Sequence, residues 1–303
     1  MRQNYATVLT FIRGAVLGDV DGQADYDSEE GAPMPEARSS GGAPLSLRGF
    51  VAASGKEFDR KQYAAYKILC CSFLLGLVKD GKIGESAHRG LEGFLGSLDD
   101  DTRDTDSDSD AALATSRAET EALLVRHGAK DQLIMLVTGQ GGCGKSTCVS
   151  MAQRFCHDFC ARLAILFDDK TFTFTSTTGS SAAIFGGTTV HSAAYLNRLR
   201  ITDDMRQEWR NIKVLVLDEV SFFKTSDVER LDKVLKKLTG SDKKFGGVHI
   251  VFSGDFYQLQ PGEFDGHDNF FPPVYFSRPS RSLSLLQSWR SPTSCYTVTP
   301  TLP

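Results

Sequence analysis

The sequence predicts an α/β fold with a parallel central sheet and flanking helices. Two observations carry this. Short apolar runs of strand length recur through the second half of the chain, each separated from the next by a segment of helical length. One of these runs ends in a glycine-rich turn, GQGGCGKS at residues 139–146, that opens directly into a helical pattern. Strand, loop and helix in that order are the repeating unit of a sheet with crossover helices.

Composition narrows the class. The 303 residues leave room for two ordinary domains or one large domain with appended segments. Hydrophobic residues at 41% and charged residues at 24% exclude wholesale disorder and an integral membrane protein. The net charge of -4 hides a concentration of acid at residues 99–110, DDDTRDTDSDSD. Nucleic-acid binding therefore cannot rest on overall charge and needs a local site. Seven cysteines without framework spacing, Cys70 and Cys71 adjacent, point to a reducing compartment, nucleus or cytosol. Cys156, His157 and Cys160 have no second ligand pair at zinc-site spacing, so the two cysteines read as core residues. The longest apolar run, ILCCSFLLGLV at residues 68–78, is too short to cross a bilayer and reads as a buried helix.

Taken in order, residues 1–57 are expected to be a flexible N-terminal segment. Residues 1–18 contain Arg2 and Arg13 and no acid, a composition shared by organelle transit peptides and plain exposed segments; the exposed segment is the expectation. Residues 21–57 are rich in Gly, Ala, Ser, Pro and acid. Order is expected over 58–261. There Phe58, Tyr63, Tyr66, Ile68, Leu69 and Phe73 recur mostly at helical intervals, with Gly81 as a stop. An acidic insert at about 97–112 reads as a solvated loop, followed by a helix over 111–127. Strands are expected at 132–138, 171–175, 214–217 and 248–252. The clearest helix, 227–238, has Ser226 and Glu229 as a capping box, Val228, Leu231, Val234, Leu235 and Leu238 on one face, and Gly240 beyond its end. Residues 262–303 lose periodicity and are expected to have no fixed fold.

The chemistry begins at the glycine turn, which matches the phosphate-binding pattern G-x-x-x-x-G-K-[ST] at every fixed position. Gly139, Gly141, Gly142 and Gly144 permit positive φ and close backbone approach, so that N–H groups converge on phosphate oxygens at a helix N-terminus. Lys145 is then placed to neutralise the β- and γ-phosphates of ATP, and Ser146 to ligate Mg2+. The strand in VLVLDE, residues 214–219, supplies Asp218 for the metal and Glu219 to polarise an attacking water. Past another apolar strand, VFSGDFYQLQP at 251–261 offers Gly254, Asp255 and Gln258, with Gln258 as sensor of the γ-phosphate. Phe256 and Tyr257 offer a stacking face for a base, with core packing the alternative for one of them.

These motifs, in this order, resemble the Pif family of superfamily-one DNA helicases, the RecD-like branch that moves 5′ to 3′ on single-stranded DNA. The resemblance runs from Phe58 to Pro261 and rests on FDRKQYAAYKI, GQGGCGKST, STTGSSAAIFGGTTVHSAAYL, LDEVSFF and FGGVHIVFSGDFYQLQP. It implies a RecA-like phosphate-loop NTPase domain in which Gln62 reads adenine. Gly139, Gly141, Gly142, Cys143, Gly144, Lys145, Ser146 and Thr147 would hold ATP, with Mg2+ on Ser146 and Asp218. Lys145, Asp218, Glu219 and Gln258 would be catalytic. It also implies that Thr178, Gly179, Thr188, Thr189 and His191 lie along the single-stranded DNA track, where N–H and OH groups contact phosphates. A capped helix start is the competing reading of GGTTVH. Family roles in DNA repair, recombination and telomere maintenance, in the nucleus or the mitochondrion, follow from the same resemblance.

Two departures stand out. Gln260 occupies the position of a usual proline in the family's GD-x-x-QLPP element, and nothing after Pro261 matches the later motifs of a second RecA-like domain. An arginine reaching the γ-phosphate from that domain would be missing, so nucleotide binding with weak hydrolysis is expected. An incomplete gene model or a transposon-derived copy would explain this. The rival expectations are a non-enzymatic module binding ATP and single-stranded DNA, and an unrelated phosphate-loop switch.

Overall fold

The computed structural model describes residues 2–18, 46–80, 106–184 and 187–255. Expectations for Gly81, residues 97–105, Phe256, Tyr257, Gln258, Gln260 and the segment 262–303 lie outside the described residues. The chain divides into two compact units, Met1–Phe58 with Cys70–Ala129 and Met151–Leu166, and Asp59–Leu69 with Lys130–Ser150 and Phe167–Pro303.

The described part of the first unit is helical and corrects the expectation of a flexible segment at residues 2–17 and 47–53; the rest of that expectation, over 19–45, lies outside the described residues. Helix α1 spans Arg2–Leu17 and α2 spans Leu47–Ala53. Val8, Leu9, Ile12, Ala15 and Val16 recur at helical spacing and are fully buried, a signal that the composition of residues 1–18 obscured. Arg13 donates to the Thr120 hydroxyl at 3.1 Å and pairs with Glu119, while the Tyr5 hydroxyl donates to the Val78 carbonyl at 2.8 Å. Burial pushes the Tyr5 phenol above its ordinary value, with Arg117 opposing. Helix α2 is capped by Ser46, whose hydroxyl accepts from Gly49 N–H at 2.9 Å.

Helix α3, Arg60–Asp80, buries nearly the whole predicted apolar run, from Ile68 through Leu75 and again at Val78. No helix among the described residues is long and apolar enough to cross a membrane. Helix α4, Asp106–Arg126, starts within the acidic run rather than at residue 111. In the part of α5 (Lys145–Arg162) belonging to this unit, Cys156 and Cys160 are fully buried, as the core reading expected. Burial, with Cys156 adding, pushes the Cys160 thiol up and holds it protonated. Phe155 meets Phe50 edge-on at 5.5 Å and stacks on Phe159 at 6.1 Å.

The second unit is built on a five-stranded sheet of β1 Ile134–Thr138, β2 Phe172–Ser176, β3 Thr188–Thr189, β4 Val214–Asp218 and β5 His249–Gly254. Its order is β1-β5-β4-β2-β3 and every pairing is parallel. The four predicted strands are present within about two residues of their expected ends; β3 escaped notice because two residues carry no period. The strand leading into the phosphate loop and the strand ending in the acidic pair flank β5, the RecA-like arrangement expected. His249 fixes one end of β5, its buried Nδ1 accepting from Leu133 N–H at 2.9 Å.

Leu136, Leu215, Leu217, Ile250 and Phe252 form one face of the sheet and pack with Val228, Leu231, Leu235 and Leu238 of the next long helix, Thr225–Thr239. Three short helices precede it in the chain, α6 Gly179–Ile184, α7 Val190–Ala193 and α8 Asp203–Trp209, so it is α9. Its expected capping box is not formed. Lys224 occupies the N-cap without a side-chain bond, and Ser226 lies inside the first turn. Buried Phe223, just before the cap, anchors the chain there and sets the start by packing rather than by capping. Gly240 closes the helix as expected, with φ 68°.

Candidate functional site

Parallel strands deliver their C-terminal ends to one edge of the sheet, where Thr138, Ser176, Asp218 and Gly254 emerge. Ligands of open α/β sheets bind along that edge. All the candidate site residues that the structure describes belong to this second unit.

The phosphate loop leaves β1 at Gly139 and enters α5 at Lys145. Gly142 and Gly144 each have φ of 80° and use the freedom assigned to all four glycines; Gly139 and Gly141 do not. A Cβ on Gly144 would also lie 2.9 Å from Gln62 Nε2. Gly141 N–H donates to Asp255 Oδ2 at 2.9 Å, so a carboxylate braces the loop from β5. Lys145 Nζ donates to the carbonyls of Gly139 at 2.7 Å and Gln140 at 2.9 Å. Cys143 N–H also turns inward, to the Gln140 carbonyl at 3.3 Å. The loop is thus closed on itself, and an incoming phosphate must replace bonds already made. Ser146 and Thr147 follow in the first turn of α5, both half-buried.

Gln62 sits against this loop. Asp59 Oδ1 accepts from Gln62 N–H at 2.9 Å while Gln62 Oε1 accepts from Asp59 N–H at 3.0 Å, a reciprocal cap at the start of α3. Its Nε2 donates to the Cys143 carbonyl at 2.8 Å. Sequence reasoning found Gln62 but missed that Asp59 orients it, although Asp-x-x-Gln before an apolar run is a legible capping signal. A pocket of about 280 Å³, including open solvent, lies among Asp59, Gln62, Ala65, Val137, Cys143, Lys145 and Cys148. Burial pushes the Cys148 thiol up to about 12.

Asp218 ends β4 half-buried, and Glu219 follows with φ 56° and ψ 39°, a left-handed conformation uncommon for this residue type. One residue directly after β2, Thr177, holds the turn. Thr177 N–H reaches the Asp218 carbonyl at 3.4 Å and its hydroxyl donates to the Glu219 carbonyl at 3.1 Å. Burial pushes the Glu219 carboxyl above the ordinary glutamate value, Asp218 and Asp255 add to this, and Lys145 opposes it. Glu219 Oε2 is buried without a hydrogen-bond partner. Gly254 is required where β5 passes this turn, since a Cβ there would stand 2.9 Å from Val220 Cγ1 and 3.2 Å from Val220 N.

Ser146 and Asp218 offer hard oxygen donors, and the described residues hold no group of three or more His, Cys, Asp or Glu able to cage a metal. So sparse a donor set fits Mg2+, which keeps several waters and is commonly carried on substrate phosphates.

The residues expected along DNA divide by role. Thr178 Oγ1 accepts from Ser181 N–H at 3.3 Å and Thr189 Oγ1 from Ser192 N–H at 3.3 Å, so both cap short helices; for Thr189 this is the capped helix start that was the competing reading of GGTTVH. Gly179 and Thr188 are exposed. His191 is half-buried, its ring edge-on to Phe223 at 5.9 Å.

A family model described as PIF1-like helicase matches residues 120–268. The ATP-dependent DNA helicase RRM3 of Saccharomyces cerevisiae is 27% identical over 143 residues, covering 44% of this chain and 19% of its own length. The ATP-dependent DNA helicase PIF7 of Trypanosoma brucei brucei is 36% identical over 141 residues, 42% of this chain and 13% of its own. The human ATP-dependent DNA helicase PIF1 is 29% identical over 154 residues, 48% of this chain and 22% of its own. The matched stretch therefore spans less than a quarter of each relative. Among solved structures, Pif1 from Candida albicans aligns with a TM-score of 0.41 at 21% identity, covering 66% of this chain and 41% of that one. Unliganded Pif1 from Bacteroides sp aligns with a TM-score of 0.40 at 19% identity, covering 67% and 43%. The match to the PIF1-like helicase model thus takes in just under half of the chain, residues 120–268, which contain the phosphate loop, the acidic pair and the turn at Gly254–Asp255.

Proposed function

We propose that this chain carries the ATP-hydrolysing domain of a DNA helicase, coupling hydrolysis to 5′-to-3′ movement on single-stranded DNA in repair, recombination and telomere maintenance. The observation that carries the reading is the gathering of Lys145, Asp218, Glu219 and Asp255 at one sheet edge, with Thr177 joining the acidic pair to the segment that begins at Thr178. The relatives' shared description as ATP-dependent DNA helicases supports it.

In this reading Lys145 exchanges the Gly139 and Gln140 carbonyls for the β- and γ-phosphates, while loop N–H groups turn toward the same oxygens. Glu219, with its carboxyl held above the ordinary value, accepts a proton from the attacking water. Ser146 and Asp218 would hold Mg2+, which would supply charge neutralisation on the phosphates. Gln62 moves its side chain from Cys143 to the adenine, and Gln258 senses the γ-phosphate. Gly179, Thr188 and His191, with the capping Thr178 and Thr189, contact the DNA backbone. The seven cysteines without framework spacing support a reducing setting, which we place in the nucleus, with the mitochondrion as alternative.

The test is ATP hydrolysis by the purified chain with and without single-stranded DNA, with Lys145→Ala as background. DNA is expected to raise a rate that Lys145→Ala removes and that Glu219→Gln lowers about a hundredfold or more. ATP binding without hydrolysis above background would reduce the chain to a binding module. No binding of either ligand would overturn the reading.

A further inference from the structure

Ser253 is 1% exposed and its hydroxyl is buried with no hydrogen-bond partner. Such a group costs stability unless something satisfies it, so it calls for an explanation. Only four described side-chain polar atoms are buried without a partner, and Ser253 Oγ, Glu219 Oε2 and Ser221 Oγ all lie near the ends of β4 and β5.

The register shows what Ser253 faces. On β5 its neighbours Ile250 and Phe252 point into the core shared with α9, so Ser253 points to the opposite face. It pairs with Val137 of β1, which lines the pocket beside Lys145 and Cys148. On the other side, β4 and β5 pair as far as Leu217 with Phe252, and one step further places Asp218 beside Ser253. Leu217 points into the core, so Asp218, like Ser253, faces away from it. Parallel neighbours are about 4.8 Å apart, within reach of a shared oxygen ligand or one bridging water.

We infer that Ser253 is a positioning residue for the metal-bearing nucleotide, its hydroxyl orienting the Asp218 carboxylate and the water held between them. This rests on the nucleotide-site reading above. The hydroxyl is dispensable for folding and for the contacts Lys145 makes, and it acts through Asp218 alone.

The experiment is titration of a fluorescent ADP analogue against the purified chain, with Mg2+ and with EDTA, alongside thermal unfolding. Ser253→Ala is expected to cut the Mg2+-dependent gain in affinity about tenfold while leaving the EDTA affinity and the unfolding midpoint no lower than native. Ser253→Cys, similar in size but a weak donor, is expected to behave as Ser253→Ala. In an Asp218→Asn background, Ser253→Ala is expected to cost nothing further. An unchanged Mg2+ gain in both variants, or losses that add in the double variant, overturns the inference and leaves the nucleotide site intact. A native chain that binds no ADP under either condition overturns the site reading and this inference together.

Discussion

Glu219 shows how a single residue can be legible by type and illegible by conformation. The acidic pair after an apolar strand identified it, but nothing in VLVLDE announces a backbone at φ 56°. That conformation is held from another strand by Thr177, whose contact is tertiary and carries no local signal. The same holds for Asp255, legible as a polar turn residue yet hidden as the brace on Gly141. Left-handed backbone is unfavourable for a residue with a Cβ, so Glu219→Gly is expected to raise stability by about 1 kcal/mol while abolishing hydrolysis. Thermal unfolding and single-turnover hydrolysis on one preparation check both halves; a lower unfolding midpoint would show that the turn is not strained. Thr177→Val is expected to slow hydrolysis about tenfold with nucleotide affinity unchanged, since it loosens the base and not the phosphate loop.

Element by element, the apolar spacing of α9 and its glycine stop are legible in the sequence, whereas its start is not. The apolar face of α9 is the one observed, because its spacing reports burial directly. Its start was misplaced because Phe223 decides it, whereas the cap that does form, Asp59 with Gln62, opens a different helix. Helix α1 was hidden by its exposed half, since composition averages over both faces. At the other end of α9, Gly240→Ala adds a Cβ that meets nothing within 4 Å, so the cost is backbone alone. It is expected to be about 1 kcal/mol by chemical denaturation, with Gly240→Asn less damaging. The connection into β2 carries a pH signature. Partial burial would raise the Asp168 carboxyl, but hydrogen bonds from Asn211, Thr171 and Lys170 outweigh it and hold it below the ordinary value of 3.8. Its contribution is present at neutral pH and is lost as pH falls below 3.8. Asn211→Ala is therefore expected to be less stable than native at pH 7, with the two unfolding midpoints converging in acid.

For the molecule as a whole, the net charge of -4 does not point to a nucleic-acid partner, and the residues proposed to meet DNA are mostly neutral. Contacts made by hydroxyl and N–H groups release few counterions. Single-stranded DNA affinity is therefore expected to fall with salt at a log–log slope of magnitude about 2 or less, as against about 0.7 for every phosphate neutralised by Lys or Arg. A steep slope in a fluorescence titration series would move the binding surface to a basic patch elsewhere. The parallel sheet also divides labour between its two edges. Every strand-borne group assigned to chemistry leaves from the C-terminal ends, so the turns at the opposite edge are free of it. Exposed Asp242, between α9 and β5, is such a place. A surface tether, a dye or a short inserted loop at Asp242 should leave nucleotide affinity untouched, giving a handle by which single molecules of this domain can be held and watched.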